Sequence, residues 1–293
     1  MSSLAGLAAT AGSAIRWDQL HLSPVAIDLG VLQLRWYALS YMAMLLLGWW
    51  FVLQLLKKPG APMTARHTDS LVIWITLGVI IGGRLGWCLF YNPAIWATPL
   101  NVLKLWQGGM SFHGGFLGLI LALWLFCRRH KLSMLRVGDY VGCAAPFGLF
   151  LVRLANFANG ELWGRPTGLP WGMIFPGGGE VPRHPSQLYE AVLEGLLMAV
   201  VLWTMFYRTD ARYRPGRLMG VGLIIYGSAR FLVEFVRQPD AGLEHLPWGL
   251  TMGQTLSLPL LVLGIYLLAT SGRRERANDR EPATPPDAAS ESA

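Results

Sequence analysis

Seven apolar stretches, each near the roughly 20 residues a helix needs to cross a bilayer, dominate this 293-residue chain and leave it few ways to fold. They run over about Tyr37–Leu56, Ser70–Tyr91, Phe112–Phe126, Val137–Phe157, Leu188–Tyr207, Leu218–Val236 and Leu250–Thr270. Backbone amides in hydrocarbon must be satisfied inside their own segment, so each stretch is expected to be a helix. Composition agrees, because 53% of the residues are hydrophobic, 14% are charged and mean hydropathy is +0.41. The expected fold is all-α, a polytopic membrane protein whose seven transmembrane helices occupy residues 31–271. No internal repeat stands out, which counts against a transporter built from inverted halves.

Basic residues between the stretches give the orientation. Lys57, Lys58 and Arg66 follow the first, Arg128, Arg129, Lys131 and Arg136 the third, Arg208, Arg212, Arg214 and Arg217 the fifth, and Arg273, Arg274, Arg276 and Arg280 the seventh. The other side holds Arg16, Arg35, Lys104, Arg165, Arg183 and Arg237. The positive-inside rule then places the N-terminus outside and the C-terminus in the cytoplasm. The net charge of +7 reports topology and not nucleic-acid binding, since the basic residues are split among short loops without a basic-aromatic patch. Residues 1–30 lack a basic leader and are broken by Arg16, Asp18 and Asp28, so they read as an extracytoplasmic surface segment and not as a cleaved signal. Residues 272–293, rich in Arg, Glu, Asp, Pro, Ala and Ser, read as a disordered cytoplasmic tail.

Three arginines, Arg84, Arg153 and Arg230, stand inside these apolar stretches. An arginine at the bilayer centre costs roughly 2.5–3.5 kcal/mol even on insertion scales, so it persists where it faces a partner, a cavity or an anionic ligand. With the orientation above, all three fall in the outer half of the membrane. Asn156, Asn159 and Glu161 follow Arg153, while Tyr226, Arg230 and Glu234 recur every fourth residue along one helix face. Tyr37, His113 and the group His184, Gln187 and Glu190 mark the outer starts of three other stretches. Simpler explanations compete for each residue. Arg230 with Glu234 has the spacing of a bundle-holding ion pair, Arg84 that of a cation neutralised by a neighbouring helix, and Tyr37 beside Trp36 that of an interfacial belt. The convergence at one depth exceeds what a structural pair needs. The run Gly108–Gly115 around His113 offers a permissive helix start whose amides could meet an anion, although glycines also let membrane helices pack closely. Cys88, Cys127 and Cys143 are isolated, without metal-ligand spacing, and read as packing residues.

These residues resemble the bacterial prolipoprotein diacylglyceryl transferases. The most specific stretch is Arg153-Leu-Ala-Asn156-Phe157-Ala-Asn159-Gly160-Glu161-Leu-Trp-Gly164, with Val152 in place of a glycine and Ala158 in place of a larger aliphatic, both at packing positions. Arg35-Trp36-Tyr37, Gly108–Gly115, His184–Glu190, Tyr226-Gly227 with Arg230-Phe231 and Glu234-Phe235, and Gly249–Gln254 match in the same order. The resemblance implies that a diacylglyceryl group passes from phosphatidylglycerol to the lipobox cysteine thiol of a prolipoprotein, forming a thioether and releasing glycerol phosphate. It implies no cofactor and no metal, membrane lipid and the lipobox peptide as partners, and an inner-membrane enzyme with its site toward the periplasm.

On that reading His113 is the candidate general base. Arg153 and Arg230 hold the phosphate and stabilise the leaving group, Tyr37, Asn156 and Tyr226 orient the headgroup, Glu161 and Glu234 fix the arginines, and Gly164 keeps its loop compact. The alternative is that the positive field of the arginines alone lowers the thiol pKa. A membrane phospholipid or anion transporter is the rival function.

Overall fold

The computed structural model describes residues 14–30, 33–239 and 248–277. The surface segment expected at 1–30 is thus described from residue 14 onward. Of the tail expected at 272–293, residues 272–277 are described, with a 3-10 turn at Ser271–Arg273 and Arg274 donating to the carbonyls of Pro215 and Leu267, and the rest lies outside the described residues. All seven apolar stretches are helical. These are α1 (Trp36–Leu56), α2 (Ala65–Phe90), α3 (Phe112–Arg129), α4 (Met134–Ala158), α5 (Ser186–Arg208), α6 (Arg217–Val233) and α7 (Met252–Thr270). Five of them, α1, α2, α4, α5 and α7, are long and apolar enough to cross a membrane. Helix α3, with 18 residues, ends on Arg128 and Arg129, and α6 has 17 residues.

Among the described residues four short strands accompany the helices, a feature that hydropathy does not announce and that departs from the all-α expectation. Strand β1 (Ile15–Arg16) pairs in parallel with β4 (Met173–Ile174), and β2 (Val25–Asp28) pairs antiparallel with β3 (Gln33–Arg35). The indole of Trp17 donates to the Phe157 carbonyl at 2.8 Å, so the described part of the N-terminal segment is tied to the end of α4.

Helix starts follow from side-chain caps. Thr64 caps α2 and His67 returns a ring nitrogen to the Thr64 amide, which starts this helix five residues before the expected Ser70. Thr251 and Gln254 form the equivalent reciprocal box on α7, with both bonds at 3.2 Å. The carboxylate of Asp139, on α4 and 1% exposed, accepts from the amides of Gly216 and Met219 at 2.7 and 2.8 Å. A buried anion therefore meets the positive end of α6.

The chain divides into two compact units, Met1–Trp50 with Asp139–Arg276, and Phe51–Gly138 with Ala277–Ala293. In the second, α2 and α3 meet along facing small residues. A Cβ on Gly118 would stand 2.0 Å from the Gly78 carbonyl oxygen, and one on Gly114 would stand 2.3 Å from that of Gly82. Only glycine permits this backbone-to-backbone approach, which supplies close packing where no hydrophobic effect drives helices together. In the first unit, Gly220 of α6 and Gly264 of α7 do the same, and Gly195 of α5 lies against Phe150 of α4.

Candidate functional site

The first unit gathers its ionisable side chains where α4, α5 and α6 meet. Arg153 of α4 points its Nε at Oε2 of Glu190, 3.1 Å away, and its Nη2 at Oε2 of Glu194, 3.3 Å away. Arg230 of α6 contacts the other oxygen of Glu190 at 2.8 Å and Glu234 at 3.1 Å through Nη1. One carboxylate, Glu190, therefore bridges two arginines from separate helices. The side chains of Glu190 and Glu194 are 0% exposed, while each arginine keeps 16% of its surface open. Arg237 lies 4.0 Å from Glu234. Three carboxylates and three guanidiniums thus form one network, with the arginines presenting its open side.

The local fold explains this arrangement. Residues 191–197 of α5 form a π-helical turn between its α-helical ends. Such turns re-aim side chains and recur at functional sites, and this one carries Glu194 just after Glu190. Glu234 sits against the first turn of α7, where a Cβ on Gly253 would meet its Oε2 at 2.5 Å. Gly253 leaves room for the carboxylate at a helix N-terminus, whose dipole favours it.

Beside the network, the loop after α4 is clasped to the start of α5. Asn156 and Asn159 donate to the same oxygen of Glu161 at 2.9 and 3.1 Å, Gln187 donates to the Glu161 carbonyl at 2.6 Å, and Ser186 to the Leu162 carbonyl at 3.0 Å. Gly164 donates to the His184 carbonyl at 2.8 Å and is too close to His184 and Val236 for any side chain. The guanidinium of Arg183 stacks 4.2 Å from the Trp163 ring. His184, just ahead of α5, has Nδ1 3.2 Å from the Tyr189 hydroxyl, and burial holds its imidazole below the ordinary range.

The expected residues fall into separate groups. Arg153, Arg230 and Glu234 meet in the network, and Tyr226 lies close enough to Arg153, Glu194 and Arg230 to interact with all three electrostatically. Tyr37 reaches the network indirectly, with its hydroxyl 3.4 Å from that of Tyr41, which interacts with Arg153. Glu161, expected to fix an arginine, is exposed, and its carboxylate accepts from Asn156 and Asn159; the sharp turn at Gly160, φ +67°, folds it back toward the end of α4.

Arg84 and His113 belong to the other unit. Arg84, 4% exposed, spends all five N–H donors on the backbone carbonyls of Asn101, Val102, Lys104, Gly108 and Gly109, and rests on Trp87. It is neutralised by carbonyl dipoles of the loop before α3, where a charged helix partner was one expectation and an anionic ligand the other. His113 is exposed in the first turn of α3. The glycines that follow it serve packing: Gly114 abuts α2, while its amide and that of Gly115 already bond to Ser111.

The sequence offers Glu190 as a helix start and within the matched run His184–Glu190, and Gly253 only within the run Gly249–Gln254, while Glu194 and Tyr41 are not singled out. The signal for Glu194 was present, because two glutamates four residues apart in an apolar helix share a face and demand cations.

The profile of the family described as prolipoprotein diacylglyceryl transferase matches residues 24–270. Curated proteins named phosphatidylglycerol–prolipoprotein diacylglyceryl transferase are similar over nearly their full length. That of Zymomonas mobilis is 55% identical over 272 residues, covering 90% of this chain and 95% of the relative. That of Rhodospirillum rubrum is 50% identical, covering 86% and 93%, and that of Nitrobacter winogradskyi 48%, covering 88% and 91%.

Proposed function

The chain belongs to the prolipoprotein diacylglyceryl transferase family, and from that membership we propose that it transfers the diacylglyceryl group of phosphatidylglycerol to a prolipoprotein cysteine. The observation that carries the chemistry is the pair Arg153 and Arg230, held side by side by Glu190 on helices that are otherwise apolar. Two guanidiniums aligned by one buried carboxylate, each partly open, suit the planar two-point recognition of a phosphate.

In the reaction the thiolate sulfur attacks the glyceryl carbon that bears the phosphate, a C–S bond forms, the C–O bond breaks, and glycerol phosphate leaves with the bond's electron pair. Arg153 and Arg230 stabilise the charge gathering on that oxygen. Tyr226 and Tyr37 line the headgroup's approach. Asn156 and Glu161 form the clasp that, with Gly164, fixes the loop beside the site, and Glu234 orients Arg230. His113 accepts the thiol proton, a role supported by its exposure at a helix start and by the general-base chemistry of imidazole. The lipobox peptide and the lipid are the partners, and the chemistry needs no cofactor.

The chain crosses the bacterial inner membrane seven times, with its N-terminus and site on the periplasmic side. The distribution of lysine and arginine supports this orientation, and the helical bounds of α3 and α6 suit spans shortened at their ends. Labelling of single cysteines placed in residues 57–67, 128–136 and 208–217 should occur only from the cytoplasm; labelling of the 160–183 loop from that side would reverse the assignment.

The function is tested with purified protein, phosphatidylglycerol and a lipobox peptide. The expected product is the peptide heavier by one diacylglyceryl group, with one glycerol phosphate released per thioether. Movement of phosphatidylglycerol between leaflets without bond formation would instead favour the transporter reading.

A further inference from the structure

The arginines that would receive the phosphate are already surrounded by carboxylates. Glu190, Glu194 and Glu234 face Arg153, Arg230 and Arg237, so the network is neutral when every member is ionised. A phosphodiester entering on the open side adds one negative charge beside buried carboxylates, where water cannot screen it. Like charges brought together in such a place favour uptake of a proton by one of them.

The geometry selects which one. Glu190 uses both oxygens, one on each arginine, at 3.1 and 2.8 Å. Glu234 contacts Arg230 at 3.1 Å, has Arg237 at 4.0 Å, and lies against the first turn of α7. Glu194 is held by a single cation, Arg153, through one oxygen at 3.3 to 3.4 Å. Its other oxygen, Oε1, is buried without a hydrogen-bond partner among the described residues; the same holds for Oε2 of Glu190 and of Glu234, but each of those faces a guanidinium at 3.1 Å, whereas the Arg153 contacts of Glu194 go to its Oε2. The titratable and charged groups facing Glu194 are Arg153 from α4, Tyr226 and Arg230 from α6, and Glu190 from its own helix. Of the three carboxylates it alone pairs with a single arginine, and a proton on Oε1 would supply the donor that this position lacks.

We propose that Glu194 takes up one proton when the anionic phosphatidylglycerol headgroup binds between Arg153 and Arg230, which makes lipid binding proton-linked. The inference rests on the transferase reading for the identity of the lipid. Glu194 is a positioning residue here: it acts through Arg153 and adjusts the charge of the site to that of its substrate. Glu194 lies four residues after Glu190, within the π-helical turn at 191–197, and both carboxylates meet the same arginine.

Proton-linked binding has a fixed signature. Where one proton enters with each lipid, the dissociation constant rises about tenfold per pH unit. Native mass spectrometry of the full-length protein in micelles would measure phosphatidylglycerol binding between pH 6 and 9, with phosphatidylcholine as the zwitterionic control. The wild type should show the slope for phosphatidylglycerol alone, and Glu194→Gln, neutral at every pH, should bind it with a flat profile. Equal slopes in the two proteins, or a flat wild type, would overturn the proposal. Calorimetry of the wild type in buffers of different ionisation enthalpy needs no variant; it should count one proton taken up per lipid, and a count of zero would overturn the proposal as well. Absence of thioether product despite proton-linked binding would sink the transferase reading while leaving the linkage standing.

Discussion

Replacing Glu190 by glutamine removes the charge that two arginines share while keeping the side chain's volume. The carboxylate contacts Arg153 at 3.1 Å and Arg230 at 2.8 Å and is 0% exposed. The Arg230 contact is a hydrogen bond to a charged group, worth about 1.5–3 kcal/mol, and the Arg153 contact adds an ion pair to the other oxygen. Removing one partner of a buried pair typically costs ~3–5 kcal/mol. Glutamine retains one acceptor oxygen, which puts Glu190→Gln near the lower end, about 3 kcal/mol. Unfolding can be followed with a thiol-reactive dye in micelles, because Cys88, Cys127 and Cys143 are 0, 2 and 0% exposed and label only once the helices open. The variant's labelling midpoint should fall by several degrees and turnover should drop with it. Added phosphatidylglycerol should raise the midpoint more in the variant than in the wild type, its phosphate taking the place of the missing carboxylate. An unchanged midpoint with normal turnover would refute the view that Glu190 holds the arginines together.

His113→Gln should slow single-turnover thioether formation by about 10²–10⁴-fold, the range of general base catalysis, and the loss should shrink as pH approaches the thiol's own pKa of about 8.5; parallel pH profiles would remove His113 from that role and leave activation to the arginines. Arg153→Lys and Arg230→Lys should each lose most activity, since an ammonium lacks the planar fork, and near-normal turnover would reduce the pair to plain charge. Gly118→Val should abolish stable folding, because its Cβ would stand 2.0 Å from backbone of the facing helix, whereas Gly168→Ala, with nothing within 4 Å, should leave the midpoint unchanged. His184 binds its proton less readily in the folded protein than in the unfolded chain, so stability should be full above the ordinary imidazole pKa of about 6.5 and decline as pH falls through it; midpoints at pH 7.5 and 5.5 should show the decline, and His184→Gln should remove part of it.

The sequence by itself determined the seven helices, because hydrocarbon leaves the backbone of an apolar run no other local solution, and five of these helices have the length and composition to cross a membrane. It also marked Arg153, Arg230 and Glu234, since a charge in an apolar helix is costly unless it meets a partner, a cavity or a ligand. Partner choice was decided by the tertiary structure. Arg84 and Arg153 look alike in sequence, yet one is satisfied by five carbonyls of a loop that returns to it and the other by two glutamates of α5. Glu161 stands beside Arg153 in the chain, but the turn at Gly160 gives it to Asn156 and Asn159 instead. Glu194, whose spacing from Glu190 calls for a cation without saying which, meets Arg153 of α4 from within the π-helical turn of α5. Hydropathy is a property of each segment and can be read along one dimension. Which cation meets which anion depends on how helices distant in sequence are rotated against each other, and that is set by close contacts such as Gly195 on Phe150 and Gly220 on Gly264 that exist only once the chain has folded.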